Sequence, residues 1–217
     1  MINAVLFDLD GTLADTAPDL GLALNRLLDE EGRSRQQYSN IRPVASHGTR
    51  GLIELGFGIG PQHPDFPRLR SRFLALYEQC YCEETRLFEG IDTLLQVINE
   101  RGLAWGIITN KPARFTDLLV GALPLFPPPA VVVSGDTVGA AKPDPRPMYH
   151  AAELLGIAPE NCLYVGDAER DIVAGRRVGM TTVLADYGYI SASDNPHEWG
   201  ADIRIANPLE LIAHLPD

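Results

Sequence analysis

The chain has 217 residues, 45% hydrophobic and 22% charged, which excludes a disordered chain and fits one large domain or a core with a small appendage. Its net charge of −11 lacks the clustered positive charge that phosphate neutralisation demands, so no nucleic-acid partner is expected. No apolar run reaches the ~18 residues that span a bilayer, and the first 16 residues, without a basic stretch and interrupted by Asp8, do not read as a signal peptide. A cytoplasmic protein with no membrane partner is the expectation.

In chain order, the first strand is predicted at Ala4–Phe7, a continuous apolar run of the kind buried on both faces of a parallel sheet. Further strands are predicted at 105–108, Val131–Val133, 162–165, 182–184 and Ile203–Ile205. Helical patterns lie between them. Ile91, Leu94, Leu95 and Ile98 have i, i+3, i+4, i+7 spacing and stop at Gly102; 147–155 and 167–178 also stop at glycines. Strands alternating with helices predict an α/β fold, a Rossmann-like core with a mostly parallel sheet.

One interval breaks the alternation. About 80 residues separate the first strand from the helix near Asp92, too many for a loop. Within it Leu20, Ala23, Leu24, Leu27 and Leu28 form one amphipathic stripe, and Leu69, Phe73, Leu76, Tyr77 and Cys80 another. The interval reads as an inserted α-helical domain at 15–86, with the core at 1–14 and 87–217 and a return linker at 87–90. Cys80, Cys82 and Cys162 form no zinc or disulfide framework and are expected to be core thiols.

Polar and ionisable residues gather at the ends of the predicted strands: Asp8, then Thr109-Asn110-Lys111, then Gly166-Asp167, with Lys142 a few residues past the third strand. In open α/β sheets the ligand site lies beyond these carboxyl ends, so the residues are expected to share one pocket. Asp8 and Asp10 repel unless a cation offsets them, and with Asp167 they suit a hard divalent ion such as Mg²⁺. Gly11 and Thr12 offer turn N–H groups for phosphate oxygens. One carboxylate can act as a nucleophile and a second as acid and base. Only two of the 18 basic residues are lysines, and both, Lys111 and Lys142, fall in this set.

Four segments in order, Asp8-Leu9-Asp10-Gly11-Thr12-Leu13, Ile107-Ile108-Thr109-Asn110-Lys111, Lys142-Pro143 and Gly166-Asp167-Ala168-Glu169-Arg170-Asp171, resemble the motifs of haloacid dehalogenase superfamily phosphatases with a small helical cap. Thr109-Asn110-Lys111-Pro112 and Tyr187-Gly188-Tyr189 resemble the phosphoglycolate phosphatase branch. The resemblance covers nearly the whole chain. It implies phosphate monoester hydrolysis through a phosphoaspartate on Asp8, with Asp10 as acid and base and as a metal ligand through its backbone carbonyl. It further implies that Thr109 and the following amide bind phosphate, that Lys142 stabilises the transferring group, that Asp8 and Asp167 hold Mg²⁺, and that Asp171 orients Lys142 or binds the metal through water.

Two other activities share this fold. A haloalkanoate dehalogenase needs neither Asp10 nor the metal, and a sugar-phosphate mutase uses the same two aspartates. A non-catalytic role sits badly with intact Asp8, Asp10, Lys142 and Asp167. The expected substrate is a small phosphorylated metabolite, 2-phosphoglycolate first, with a carboxylated sugar phosphate such as N-acetylmuramic acid 6-phosphate as the alternative. Substrate selection is expected from the inserted segment. There His47, Gly48 and Arg50 interrupt the leucine pattern, with Gly48 allowing close approach and Arg50 able to grip a carboxylate. A monomer or a homodimer is expected.

Overall fold

The computed structural model describes residues 1–216. The first run becomes β1 (Ala4–Phe7), followed by a two-residue strand, β2 (Ala14–Asp15). Then come α1 (Ala17–Glu30), α2 (Tyr38–Ile41), a 3-10 turn at Arg42–His47, α3 (Gly48–Phe57) and α4 (Phe66–Tyr77). The chain returns through β3 (Arg86–Leu87) to α5 (Ile91–Glu100), β4 (Ala104–Ile108), α6 (Ala113–Ala122), β5 (Val131–Val133) and α7 (Arg146–Leu155). It ends with β6 (Cys162–Gly166), α8 (Glu169–Arg177), β7 (Thr181–Ala185) and β8 (Ile203–Ile205). Among the described residues no helix is long and apolar enough to cross a membrane.

The six longer strands form one sheet in the order β5-β4-β1-β6-β7-β8, every neighbouring pair parallel. Alternate side chains serve opposite faces. Val5, Phe7, Ile107, Leu163 and Val165 pack with the α5 stripe Ile91, Leu94, Leu95 and Ile98. Ala4, Leu6, Ile108 and Tyr164 pack with Met148 of α7 and Ala174 of α8. Burial on both faces is why these strands read as continuous apolar runs. β1 is central, so Asp8, directly after it, emerges at the middle of the carboxyl edge.

The segment between β2 and β3 packs mostly on itself. Leu24, Leu27 and Leu28 of α1 meet Leu52 of α3 and Phe73 and Tyr77 of α4, and the cluster extends to Phe115 and Tyr189 on the sheet side. The outgoing and returning chains pair antiparallel, Ala14 with Leu87 and Asp15 with Arg86. This two-strand neck was not expected from the sequence. Nor were α6, whose apolar stripe is short, or the turn at Arg42–His47. Cys80 and Cys162 are buried, Cys82 is half-buried, and all three thiols are free.

Asp19 holds the neck. It is fully buried in the first turn of α1, and its carboxylate accepts from the backbone N–H of Glu84 and of Thr85 at 2.9 Å each and from the Thr85 hydroxyl at 2.6 Å. Asp19→Ala leaves these donors without a partner. It should lower stability by about 2–4 kcal/mol, the scale of losing charge-assisted hydrogen bonds to buried donors. Urea unfolding should show a lower midpoint at unchanged slope; an unchanged midpoint would show that the neck does not depend on this carboxylate.

Candidate active site

The strand ends converge as expected. Asp8 is 2% exposed. Its Oδ1 accepts the Leu9 N–H at 2.8 Å and lies 3.0 Å from Lys142 Nζ. Lys142 is itself enclosed: Nζ donates to the Ile108 carbonyl at 2.7 Å and the Tyr164 hydroxyl at 2.6 Å, and lies 2.8 Å from Asp171 Oδ1. Asp171 also accepts the Ala168 N–H through Oδ2 at 3.1 Å, so one carboxylate caps α8 and orients the lysine. Burial raises the Asp8 pKa, with Asp171 and Asp10 acting the same way; the Lys142 and Arg170 cations oppose the rise.

Asp167 lies beside this group. Oxygens of Asp8, Asp167 and Asp171 all approach within 4.8 Å of one another. Asp167 Oδ2 accepts from the Tyr189 N–H at 2.8 Å and the Ser46 hydroxyl at 2.7 Å, while Oδ1 is buried with no hydrogen-bond partner. Burial, then the charges of Asp8 and Asp171, push its pKa up to about 7. The backbone closes tightly here: a Cβ on Gly11, where φ is +85°, would sit 2.1 Å from Asp167 Oδ2, and one on Gly188 would sit 2.6 Å from the Gly11 carbonyl. Clustered buried carboxylates with an orphaned oxygen are the donor set of a hard divalent cation, so these residues fit Mg²⁺. The side chain completing the cluster is Asp171, whereas the Asp10 carboxylate points elsewhere.

Asp10 Oδ1 accepts from the Thr16 hydroxyl at 2.5 Å and from Lys111 Nζ at 2.9 Å. Lys111 is no loose surface lysine. Its side chain is 7% exposed and its ammonium lies 4.7 Å from the Tyr77 ring centre. Burial works against its charge, but Asp10 and Tyr77 together outweigh that and its pKa is raised. Thr109 is buried, and its Oγ1 accepts the Lys111 N–H at 3.1 Å. The Asn110 side chain is bound at both ends to the Lys142 backbone: Nδ2 donates to the Lys142 carbonyl at 2.9 Å and Oδ1 accepts its N–H at 2.8 Å.

A cavity of about 680 Å³ opens above these groups. Asp8, Asp10, Thr109, Asn110 and Lys111 contribute to its floor, and His47, Gly48 and Arg50 at the start of α3 to the opposite wall. Gly11 and Thr12 do not line it. The turn N–H groups expected at phosphate are used within the loop, Gly11 N–H donating to the Ala14 carbonyl at 3.0 Å and Thr12 N–H to the Leu9 carbonyl at 3.4 Å.

Several residues escaped the sequence reading. Arg170 lines the cavity with its side chain 20% exposed and Nη2 3.9 Å from Asp8 Oδ2. It stands between two motif acids, and its charge beside them was the available signal. Tyr164 sits inside an apolar strand and reads as core. Arg70 reads as a solvated helix face, yet lines the cavity with Arg50. Neither of these two arginines has a carboxylate partner among the described residues, whereas Arg35, Arg68, Arg72, Arg114, Arg146 and Arg204 are all paired.

The chain is similar to known proteins along most of its length. Residues 5–185 match the family model of haloacid dehalogenase-like hydrolases. The chain is 41% identical to an N-acetylmuramic acid 6-phosphate phosphatase of Pseudomonas putida, over 97% of this chain and 94% of that one. It is 40% identical to a phosphoglycolate phosphatase of Xanthomonas campestris pv. campestris, over 96% and 94% of the two chains. A haloacid dehalogenase-like hydrolase from Streptococcus pneumoniae has the same fold, with a TM-score of 0.85 at 20% identity, covering 98% of each chain. With the family model spanning most of its length and relatives this similar from end to end, the chain belongs to the haloacid dehalogenase-like hydrolase family.

Proposed function

We propose that this protein is a Mg²⁺-dependent phosphate monoester hydrolase that works through a phosphoaspartate on Asp8, with residues 15–86 acting as a cap over the core at 1–14 and 87–217. The observation that carries this reading is the Asp8–Lys142–Asp171 arrangement beside the orphaned Asp167 oxygen, with Asp10 at the same cavity floor.

Asp8 Oδ1 is occupied by Leu9 and Lys142, which leaves Oδ2 as the oxygen that attacks phosphorus. The leaving alkoxide takes a proton from Asp10, whose Oδ1 is held by Thr16 and Lys111 so that Oδ2 carries the proton. In the second half-reaction Asp10 takes a proton from water as the water attacks phosphorus. Phosphate leaves and the Asp8 carboxylate is restored. Thr109, the Asn110 N–H and Arg170 are the donors and the cation available to the equatorial phosphate oxygens, where most of the stabilisation of such a transition state lies, and the enclosed Lys142 adds its positive charge from beside Asp8. Asp8 and Asp167 would hold Mg²⁺, with the Asp10 backbone carbonyl and Asp171 nearby. The ion supplies the positive charge that lets a phosphate dianion enter beside buried carboxylates.

Relatives that act on phosphoglycolate and on N-acetylmuramic acid 6-phosphate stand at nearly equal identity. Both names denote a phosphate and a carboxylate in one molecule, and the unpaired Arg50 and Arg70 suit the carboxylate. A cavity of about 680 Å³ has the size of sites for sugar-sized ligands and far exceeds a two-carbon acid. We therefore favour the carboxylated sugar phosphate and keep 2-phosphoglycolate second.

A panel of phosphate monoesters ranked by kcat/KM tests the assignment. Turnover should require Mg²⁺ and stop with EDTA. Arg50→Ala should weaken kcat/KM by roughly 1.5–3 kcal/mol on the carboxylated substrate, the range for a charged hydrogen bond, and leave p-nitrophenyl phosphate nearly unchanged. Equal losses on both would remove Arg50 from substrate selection, and full activity in EDTA would remove the metal.

Asp167 also sets a pH dependence. Its carboxyl is raised from 3.8 to about 7 in the metal-free fold, so between these values the folded protein holds a proton that the unfolded chain has released. Metal-free stability should therefore fall as pH rises through that window. Saturating Mg²⁺, replacing the proton, should raise Tm more at about pH 8 than at about pH 5. Thermal scans with Mg²⁺ and with EDTA at both pH values measure this; equal Mg²⁺ shifts would contradict it.

A further inference from the structure

Ser46 lies in the 3-10 turn Arg42–His47 of the helical insertion, yet its hydroxyl donates to Asp167 Oδ2 at 2.7 Å across 121 residues of sequence. The same oxygen accepts the Tyr189 N–H at 2.8 Å, while Oδ1 stays without a partner. Two donors from different parts of the chain thus fix the plane of one carboxylate and leave its other oxygen free.

The contact belongs to a wider network. Arg42, at the start of the same turn, donates to the Tyr187 carbonyl at 2.9 Å and the Gly188 carbonyl at 3.0 Å, and its guanidinium lies 5.1 Å from the Tyr189 ring centre. The Tyr189 hydroxyl donates to Asp15 at 2.7 Å and accepts the Ala17 N–H at 2.9 Å, at the neck of the insertion. The turn at 42–47, the neck at 15–17 and the loop at 187–189 are therefore tied together, and the ties end on Asp167. His47 and Gly48, which line the cavity, follow Ser46 directly.

We propose that Ser46 is a positioning residue for the metal-binding carboxylate, so that Mg²⁺ binding at Asp167 and the seating of residues 42–50 over the cavity form one linked equilibrium. The proposal rests on the metal reading given above. A seated insertion holds Asp167 in the orientation that leaves Oδ1 free. By reciprocity, an ion that selects that orientation also favours the seated insertion. Substrate recognition by His47, Gly48 and Arg50 then follows metal loading, because the same turn carries His47 and leads directly into Gly48 and Arg50 at the start of α3.

Calorimetric titration of Mg²⁺ into the substrate-free protein tests this without any turnover, using the wild type, Ser46→Ala and Asp167→Asn. Removing a partner of a metal ligand costs ~10–100-fold in affinity. With the Tyr189 N–H still in place, Ser46→Ala should weaken Mg²⁺ binding about tenfold, at the lower end of that range, and Asp167→Asn should abolish it. Hydrogen exchange gives the reciprocal readout: Mg²⁺ should slow exchange across residues 42–50 of the wild type, and this slowing should be lost in Ser46→Ala. A wild type whose 42–50 amides ignore Mg²⁺, or a Ser46→Ala protein with unchanged Mg²⁺ affinity, overturns the proposal while the metal site stands. Undiminished Mg²⁺ binding by Asp167→Asn overturns the metal reading itself, and this inference with it.

Discussion

A single buried ammonium organises the carboxyl edge of the sheet. Lys142 Nζ touches Asp8 after β1, the Ile108 carbonyl at the end of β4, the Tyr164 hydroxyl of β6 and Asp171 in α8. Asn110 grips the lysine's own backbone from both sides. Two carboxylates and two further oxygens surround this enclosed ammonium and offset the cost of its burial. The carboxylates in turn tolerate burial because the cation is there, although Asp8 is still held above the ordinary range of an aspartate. The site is consequently a balance of charges that no member can leave alone. Removing the lysine would strand two buried acids, and removing Asp8 would relieve one repulsion and lose one attraction.

The chain's charge is sorted in the same manner. With 29 acidic and 18 basic residues it is a strongly anionic protein that must admit an anionic substrate. Several exposed arginines are spent on carboxylate pairs such as Arg35–Asp29 and Arg72–Glu30. Lys111, Arg170, Arg50 and Arg70 surround the cavity instead. The first two lie near the reacting carboxylates, while Arg50 and Arg70 belong to the helical insertion. The proposed function assigns phosphate transfer to the core and selection to the insertion. A network through Arg42, Ser46 and Tyr189 keeps the two in register.

The sheet and its site were legible in the sequence for a definite reason. Strands buried on both faces leave unbroken apolar runs, and a polar residue ending such a run marks the carboxyl edge. Asp8, Thr109 and Asp167 were found this way, and Lys142 was picked out as a lysine a few residues past the third run. The sequence also offered the right residue types at Asn110 and Lys111 but not their partners. Asn110 serves Lys142, 32 residues away, and Lys111 serves Asp10, 101 residues away, pairings that only the fold creates. The β2–β3 neck is two residues per strand and carries no periodicity. Tyr164 hid in an apolar strand, Arg170 between two motif acids and Ser46 in a turn with no repeating pattern. Each acts through contacts with residues distant in sequence, which a local pattern cannot reveal.

The central claim is that Asp8 itself takes the phosphoryl group. The most direct test is to quench the enzyme during turnover with borohydride, which reduces an acyl phosphate to an alcohol, and to sequence the N-terminal peptide by mass spectrometry. The account predicts that residue 8 is converted from aspartate to homoserine only when substrate and Mg²⁺ are present. Steady turnover with Asp8 unmodified, or reduction at a different carboxylate, would contradict it.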